Sequence, residues 1–251
     1  GEVLDWTFMG AYLAGGMVVY LLATIVALMR RLSLAEAAVE AQCAVIGNAG
    51  FLGVPMLALL LGEQAIGPVM MVLAVDLLVF GSLIVIIITG SRDGRIAPGV
   101  LISVGRGLLH NPMIMSIGLG FLWSALKLPI PAPMNEFLEL LGGAATPGAL
   151  FAIGASLASK SAERMSVAVW LSFCKLVLHP TAVAISALIL FPVASFDAGV
   201  MIAAASLPVA GNVYILARHY GVAPHRVSAT ILISTAASVL TVSAIIAWVS
   251  G

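Results

Sequence analysis

The chain has 251 residues, of which 62% are hydrophobic and only 9% charged, and its formal net charge is zero. Soluble domains carry about 25% charged residues, so this composition excludes an ordinary soluble enzyme. With no block of basic residues it also excludes a nucleic-acid binder, which leaves an all-α integral membrane protein as the class.

In chain order, eight apolar spans are predicted, each near the roughly 20 residues that cross a bilayer. They run 7–29, 35–61, 65–89, 111–126, 134–158, 165–191, 198–217 and 227–249. Ser33 and Glu36 have the spacing of a capping box at the start of the second span. Residues 98–109 are expected to form a short amphipathic surface stretch, with Val100, Leu101, Val104 and Leu108 at helical spacing. Cys43 and Cys174 both fall inside apolar runs and read as small buried hydrophobes rather than a disulfide. The first residue is Gly rather than Met, as expected of a trimmed chain.

The basic residues test this map. Arg30, Arg31, Arg92, Arg95, Arg106, Lys160, Arg164, Arg218 and Arg226 fall in alternate connections, so nine of the eleven lie on one face. Lys127 is on the other face and Lys175 lies within a span. By the positive-inside rule the crowded face is cytoplasmic and both ends of the chain are not. Trp6 and Trp248 then sit in an outer aromatic belt. His110, His219 and His225 flank spans on the cytoplasmic face without metal-ligand spacing, and no metal or cofactor is expected. Short loops suggest a bacterial inner membrane.

Two spans are broken by helix breakers near their middles. One reads Gly47-Asn48-Ala49-Gly50-Phe51-Leu52-Gly53-Val54-Pro55, the other Leu207-Pro208-Val209-Ala210-Gly211-Asn212. Breakers free backbone N–H and C=O groups, which membrane depth tolerates only inside protein or beside a wet cavity. A matched pair of such breaks points to a transporter's binding site. In each half the broken span is next to last. If the halves are equivalent, two helices precede the first half and the parent has ten spans in two inverted five-helix repeats. Residues 1–90 would be a partial N-terminal repeat broken within 35–61, residues 91–110 a cytoplasmic linker, and residues 111–251 a five-helix repeat broken within 198–217.

At these residues the chain resembles the auxin efflux carrier family, including its bacterial malonate-transporter-like members. The resemblance rests on the run from Asn48 to Pro55 followed by Leu61-Gly62-Glu63, and on the run from Leu207 to Ala217 followed by Tyr220-Gly221-Val222. His110-Asn111-Pro112 and the stretch from Ser228 to Thr241 add to it. It covers nearly the whole chain but lacks the family's first two helices. It implies two inverted repeats with broken helices crossing at the midplane, an organic-anion substrate, elevator-like alternating access and a possible homodimer.

The candidate substrate-binding residues are Asn48, Gly50, Pro55, Pro208, Asn212, Tyr214 and Lys175. Proline inside a helix removes a hydrogen bond, asparagine brings donor and acceptor to the midplane, and half-helix N-termini favour an anion. The bland alternative is a packing kink with glycines for close helix contact. Lys175 and His179 share one helix face, and an intramembrane ionisable residue is functional by default. Lys175 would neutralise an anion or pair with Asp76, or else extend to an interface. His179 would relay a proton or satisfy backbone before Pro180. Asp76 would couple a proton or sodium ion, or else serve as a structural partner. Glu40 and Gln42 would line the cytoplasmic mouth or sit near the interface.

Rival functions fit less well. An intramembrane enzyme has no H-E-x-x-H or G-x-S-x-G to rest on, and Ser172-Phe173-Cys174-Lys175 is an S-x-x-K without its partner motifs. A channel would show a filter or rings of charge. A sensor of the same fold need not keep a polar midplane. The sequence therefore predicts a secondary transporter of a small organic anion, a mono- or dicarboxylate such as malonate or an auxin-like acid, in a lipid bilayer.

Overall fold

A computed structural model describes residues 5–93, 115–116, 119–120, 122–123, 126–157 and 165–250. The predicted fourth span, the surface stretch at 98–109 and His110 fall outside these residues or mostly so. The described residues form helices and no strands.

Helix α1 is Trp6–Met29, started by the Asp5 side chain accepting from the amides of Thr7 and Phe8. Helix α2, Leu34–Val45, opens with the expected capping box between Ser33 and Glu36. After a break and a wide turn at Ala49–Gly53, α3 (Val54–Leu61) completes the second span. The third span is α4 (Ile66–Val75), a wide turn at Asp76–Phe80 and α5 (Gly81–Asp93). Helix α6 is Ala132–Leu157. Next come α7 (Met165–Phe173), a wide turn at Cys174–Leu178 and α8 (His179–Ile185). Helix α9 is Ser195–Ala205, and α10, Gly211–Tyr220, follows the second break. Helix α11, Pro224–Ser250, ends the chain. Gly221, in the left-handed region at φ 65°, closes α10, as is usual at a helix C-terminus.

Four of these helices are long and apolar enough to cross a membrane: Trp6–Met29, Glu63–Ser91, Met165–Leu190 and Pro224–Val249. The two broken spans contribute shorter apolar pieces, Ala49–Leu61 and Ser195–Ala205.

Helices α1 to α5 form one group and α7 to α11 another, and the groups interlock. Helix α1 packs on α2 and α8, α2 on α5 and α7, and α9 on α4 and α11. Lipid is as apolar as leucine, so such contacts rest on close packing of small residues. The buried face of α1 carries Ala11, Gly15, Gly16, Ala23 and Ala27, and that of α2 carries Ala37, Ala38, Ala41 and Ala44. A side chain at Gly15 would place its Cβ 2.8 Å from the Val183 Cα, so α1 and α8 approach that closely only because Gly15 has none. Helix α6 stands apart: residues 132–144 are exposed, though the helix passes beside the Ala49–Gly53 turn.

At one end of the bundle Arg30, Glu40 and Arg226 meet. At another, an apolar cavity of about 600 Å³ is lined by Leu60, Leu61, Leu188, Phe196, Trp248 and Val249. The ends of α3, the sixth span and α11, and the start of α9, thus share one region. Trp6 and Trp248 are largely exposed.

Candidate functional site

The two broken segments run past one another, antiparallel. The Asn48 amide donates to the Pro208 carbonyl at 2.8 Å, and the Ala210 amide donates to the Ile46 carbonyl at 3.1 Å. Between these bonds Gly47 faces Val209. Each segment supplies the hydrogen-bond partners the other lost on leaving its helix, which buried backbone requires. The contact is nearly closed to solvent: Leu207 is 0% and Val209 1% exposed.

Positions of the breaks differ in detail from the expected ones. The first lies at Ile46–Asn48, not at Pro55. Pro55 sits at the start of α3, directly after the wide turn at Ala49–Gly53 and within the helical run Ala49–Leu61. Pro55 and Gly50 are both exposed and lie beyond the crossing, on the side of the wide turn that α6 passes. Pro208 is in the second break itself. Asn212 is in the first turn of α10, and Tyr214 is half-buried on the same helix.

Both asparagines stand beside the crossing. Asn48 ends the break, 5% exposed, and its side chain makes no capping hydrogen bond, although its carbonyl accepts from Leu52 and Gly53. Among the described residues Asn212 Oδ1 is buried without a hydrogen-bond partner, and rotation of the amide would present Nδ2 there instead. Two half-helix N-termini, at Ala49 and Gly211, open at the same crossing.

Behind the crossing lies a buried polar cluster that unites Asp76, Lys175 and His179. Lys175 is 0% exposed, and its ammonium donates to the Ala205 carbonyl at the C-terminus of α9. A cation is favourable at that end of a helix dipole. Lys175 Nζ also lies 3.1 Å from His179 Nδ1. If Nδ1 accepts there, the proton sits on Nε2, which is buried without a partner. Gly47 makes room for the lysine: a Cβ at Gly47 would lie 3.3 Å from both Lys175 Cε and Nζ.

Asp76 is 2% exposed and accepts from the Tyr12 hydroxyl at 2.9 Å. Tyr12 in turn stands edge-on to the His179 ring at 5.6 Å. The Gly47 amide lies near the Asp76 carboxyl, and among the described residues Oδ2 has no hydrogen-bond partner. Asp76 and Lys175 flank Gly47 within electrostatic reach of each other but are not among the direct ion pairs of the described residues. Lys175 does not extend to an interface. It is held between the Ala205 end of α9 and His179, behind the crossing. Tyr12 carried no sequence signal, since a tyrosine in an apolar span reads as core.

Glu40 does not line an open mouth. It is 1% exposed and accepts from Arg30 Nη1 and Arg226 Nη1, each at 2.8 Å. Arg226 also reaches Glu36 at 3.6 Å. This clasp ties the end of α1 and the start of α11 to α2. It also puts Arg30 and Arg226, assigned to the same face from charge alone, within reach of one carboxylate. Among the described residues no cluster of His, Cys, Asp and Glu could hold a metal ion.

A family profile described as "Membrane transport protein" matches residues 1–246. A relative from Rhizobium meliloti (strain 1021), provisionally named a malonate transporter, is 30% identical over 220 residues, covering 87% of this chain and 69% of its own length. The chain therefore belongs to the membrane transport protein family of the auxin efflux carriers. It is a membrane transporter and not an enzyme.

Proposed function

We propose that this protein is a secondary transporter of a small organic anion, a dicarboxylate of the malonate class, working by alternating access in a bacterial inner membrane. The observation that carries this is the antiparallel crossing of the two broken segments at Gly47 and Val209, with Asn48 and Asn212 beside it. At a crossing, backbone amides and side-chain amides can hold a carboxylate without a full positive charge in its path. The name of the Rhizobium relative supports the substrate class.

Asn48 and Asn212 orient the anion, and the N-termini at Ala49 and Gly211 supply positive potential. Lys175 adds its charge from behind, through the Ala205 end of α9. Asp76 and His179 are the groups that would carry a coupling proton, because both keep an unpartnered buried atom beside the crossing. Sodium coupling is the alternative at Asp76. The two interlocked groups carry the crossed broken helices of two inverted halves in a ten-helix parent, which moves the anion by an elevator-like step within a homodimer.

The test is a thermal-shift panel of malonate, other small carboxylates and auxin-like acids, at two pH values, on the full-length protein. The expected result is stabilisation by a dicarboxylate that disappears in Asn48→Ala. Folded protein that responds to no acid would overturn the substrate class.

A further inference from the structure

Gly47 and Val209 face each other between the two hydrogen bonds of the crossing. In an antiparallel pair, residues at such a position point their own N–H and C=O groups away from the partner segment. The crossing therefore leaves two amides, those of Gly47 and Val209, aimed outward into apolar surroundings. An unmade hydrogen bond there carries the desolvation cost of the group. Each amide needs an acceptor from a neighbouring helix.

Polar acceptors stand near both amides, and they come from corresponding places. The Asp76 carboxyl, on the span that follows the first break, lies near the Gly47 amide without forming one of the hydrogen bonds of the described residues. The Val209 amide donates to Ser234 Oγ at 3.2 Å, on the helix that follows the second break. Ser234 is 0% exposed, and its own hydroxyl proton goes to the Ile231 carbonyl at 3.1 Å. With its proton committed along α11, the oxygen is left to accept from Val209. The two acceptors differ in one respect: Asp76 is ionisable and sits beside Lys175, whereas Ser234 is neutral and cannot change charge.

We infer that Ser234 is a positioning residue for the substrate site, the neutral counterpart of Asp76, which fixes the second broken segment in register so that Asn212 presents its amide at the crossing. Val209 to Asn212 is a short stretch, and losing the Val209 bond frees the segment to rotate. The second half thus holds its break with a neutral acceptor that cannot change charge, and the first half has an ionisable carboxyl in the corresponding place. This assignment rests on the proposed anion site only where binding is concerned, because the amide's acceptor is independent of any substrate.

The test uses the full-length protein with Ser234→Ala, Ser234→Val and Ser234→Thr. Hydrogen exchange of the peptide spanning residues 205–212 reads the positioning directly. Loss of one hydrogen bond corresponds to up to about a tenfold faster exchange, expected in the Ala and Val variants and restored in the Thr variant. Malonate binding is measured on the same samples. It should weaken about tenfold in Ala and Val and recover in Thr, while the peptide spanning residues 33–45 keeps its parent exchange. Unchanged exchange of residues 205–212 in Ser234→Ala overturns the assignment, whatever malonate does. Faster exchange without any malonate binding, even in the parent protein, would uphold the Ser234 contact and overturn the substrate class instead. Faster exchange with unaltered malonate affinity would overturn the link between Ser234 and the site.

Discussion

The molecule buries two polar clusters, and they are built on opposite principles. The clasp at Arg30, Glu40 and Arg226 is closed: Glu40 receives one arginine on each oxygen. The cluster at the crossing is less complete: among the described residues Asp76 Oδ2, His179 Nε2 and Asn212 Oδ1 are buried without hydrogen-bond partners, as are atoms elsewhere such as Tyr20 Oη and Ser228 Oγ. Buried polar groups are nearly always satisfied in stable proteins. A complete network reads as structure, and an incomplete one at a helix break reads as a place for something that comes and goes.

The comparison predicts which substitutions damage the fold and which damage only binding. The largest effect on stability belongs to Glu40→Ala. It leaves Arg226, only 8% exposed, without its main partner, and breaking a buried pair in this way costs about 3–5 kcal/mol. Thermal unfolding in detergent should show a large fall in Tm, and the protein that remains folded should bind malonate as the parent does. A stable Glu40→Ala protein would mean the clasp is ornamental.

Gly47→Ala comes next. The new methyl would press on Lys175 Nζ and Cε at 3.3 Å, and overpacking costs about 1–3 kcal/mol. Because the pressure falls on the crossing, malonate affinity should drop together with Tm. A loss of stability with unaltered affinity would separate Lys175 from the site.

The smallest effect is expected at Ser33→Ala, which removes one side of the capping box on α2. Helix caps are worth about 1 kcal/mol. The melting temperature should fall slightly with no change in binding, which makes this variant the control for mild destabilisation.

Much of the fold was readable because breakers stand out against an apolar background. Gly47, Asn48, Pro208 and Asn212 interrupt runs that otherwise contain little but Ala, Val, Leu and Ile, so the pair of breaks could be located to within a few residues. The capping box was readable because its two members are three residues apart. The first break, expected over Gly47–Pro55, is confined to Ile46–Asn48, and Pro55 falls in the helical run Ala49–Leu61 that follows it.

What could not be read were contacts made across the chain. Glu40 meets an arginine 186 residues away, and Ser186 donates to the Ala11 carbonyl at a separation of 175. Tyr12 and Ser234 look like ordinary members of apolar spans until folding puts them against Asp76 and Val209. The charge of Lys175 is legible in the sequence, but not that the Ala205 carbonyl and His179 close around its ammonium. Ser172, in the S-x-x-K run, donates along its own helix to the Ala168 carbonyl, an ordinary use of a buried serine.

The central claim is that Asn48 and Asn212, from two breaks in two halves of the chain, hold one anion together. A double-mutant cycle on malonate affinity tests it most directly, using Asn48→Ala, Asn212→Ala and the double variant of the full-length protein. Residues that share one ligand couple by about 0.5–3 kcal/mol. The account predicts that each single variant weakens binding about tenfold or more, and that the double variant is little worse than either. Two independent, fully additive losses, or affinities equal to the parent's in both single variants, would contradict it.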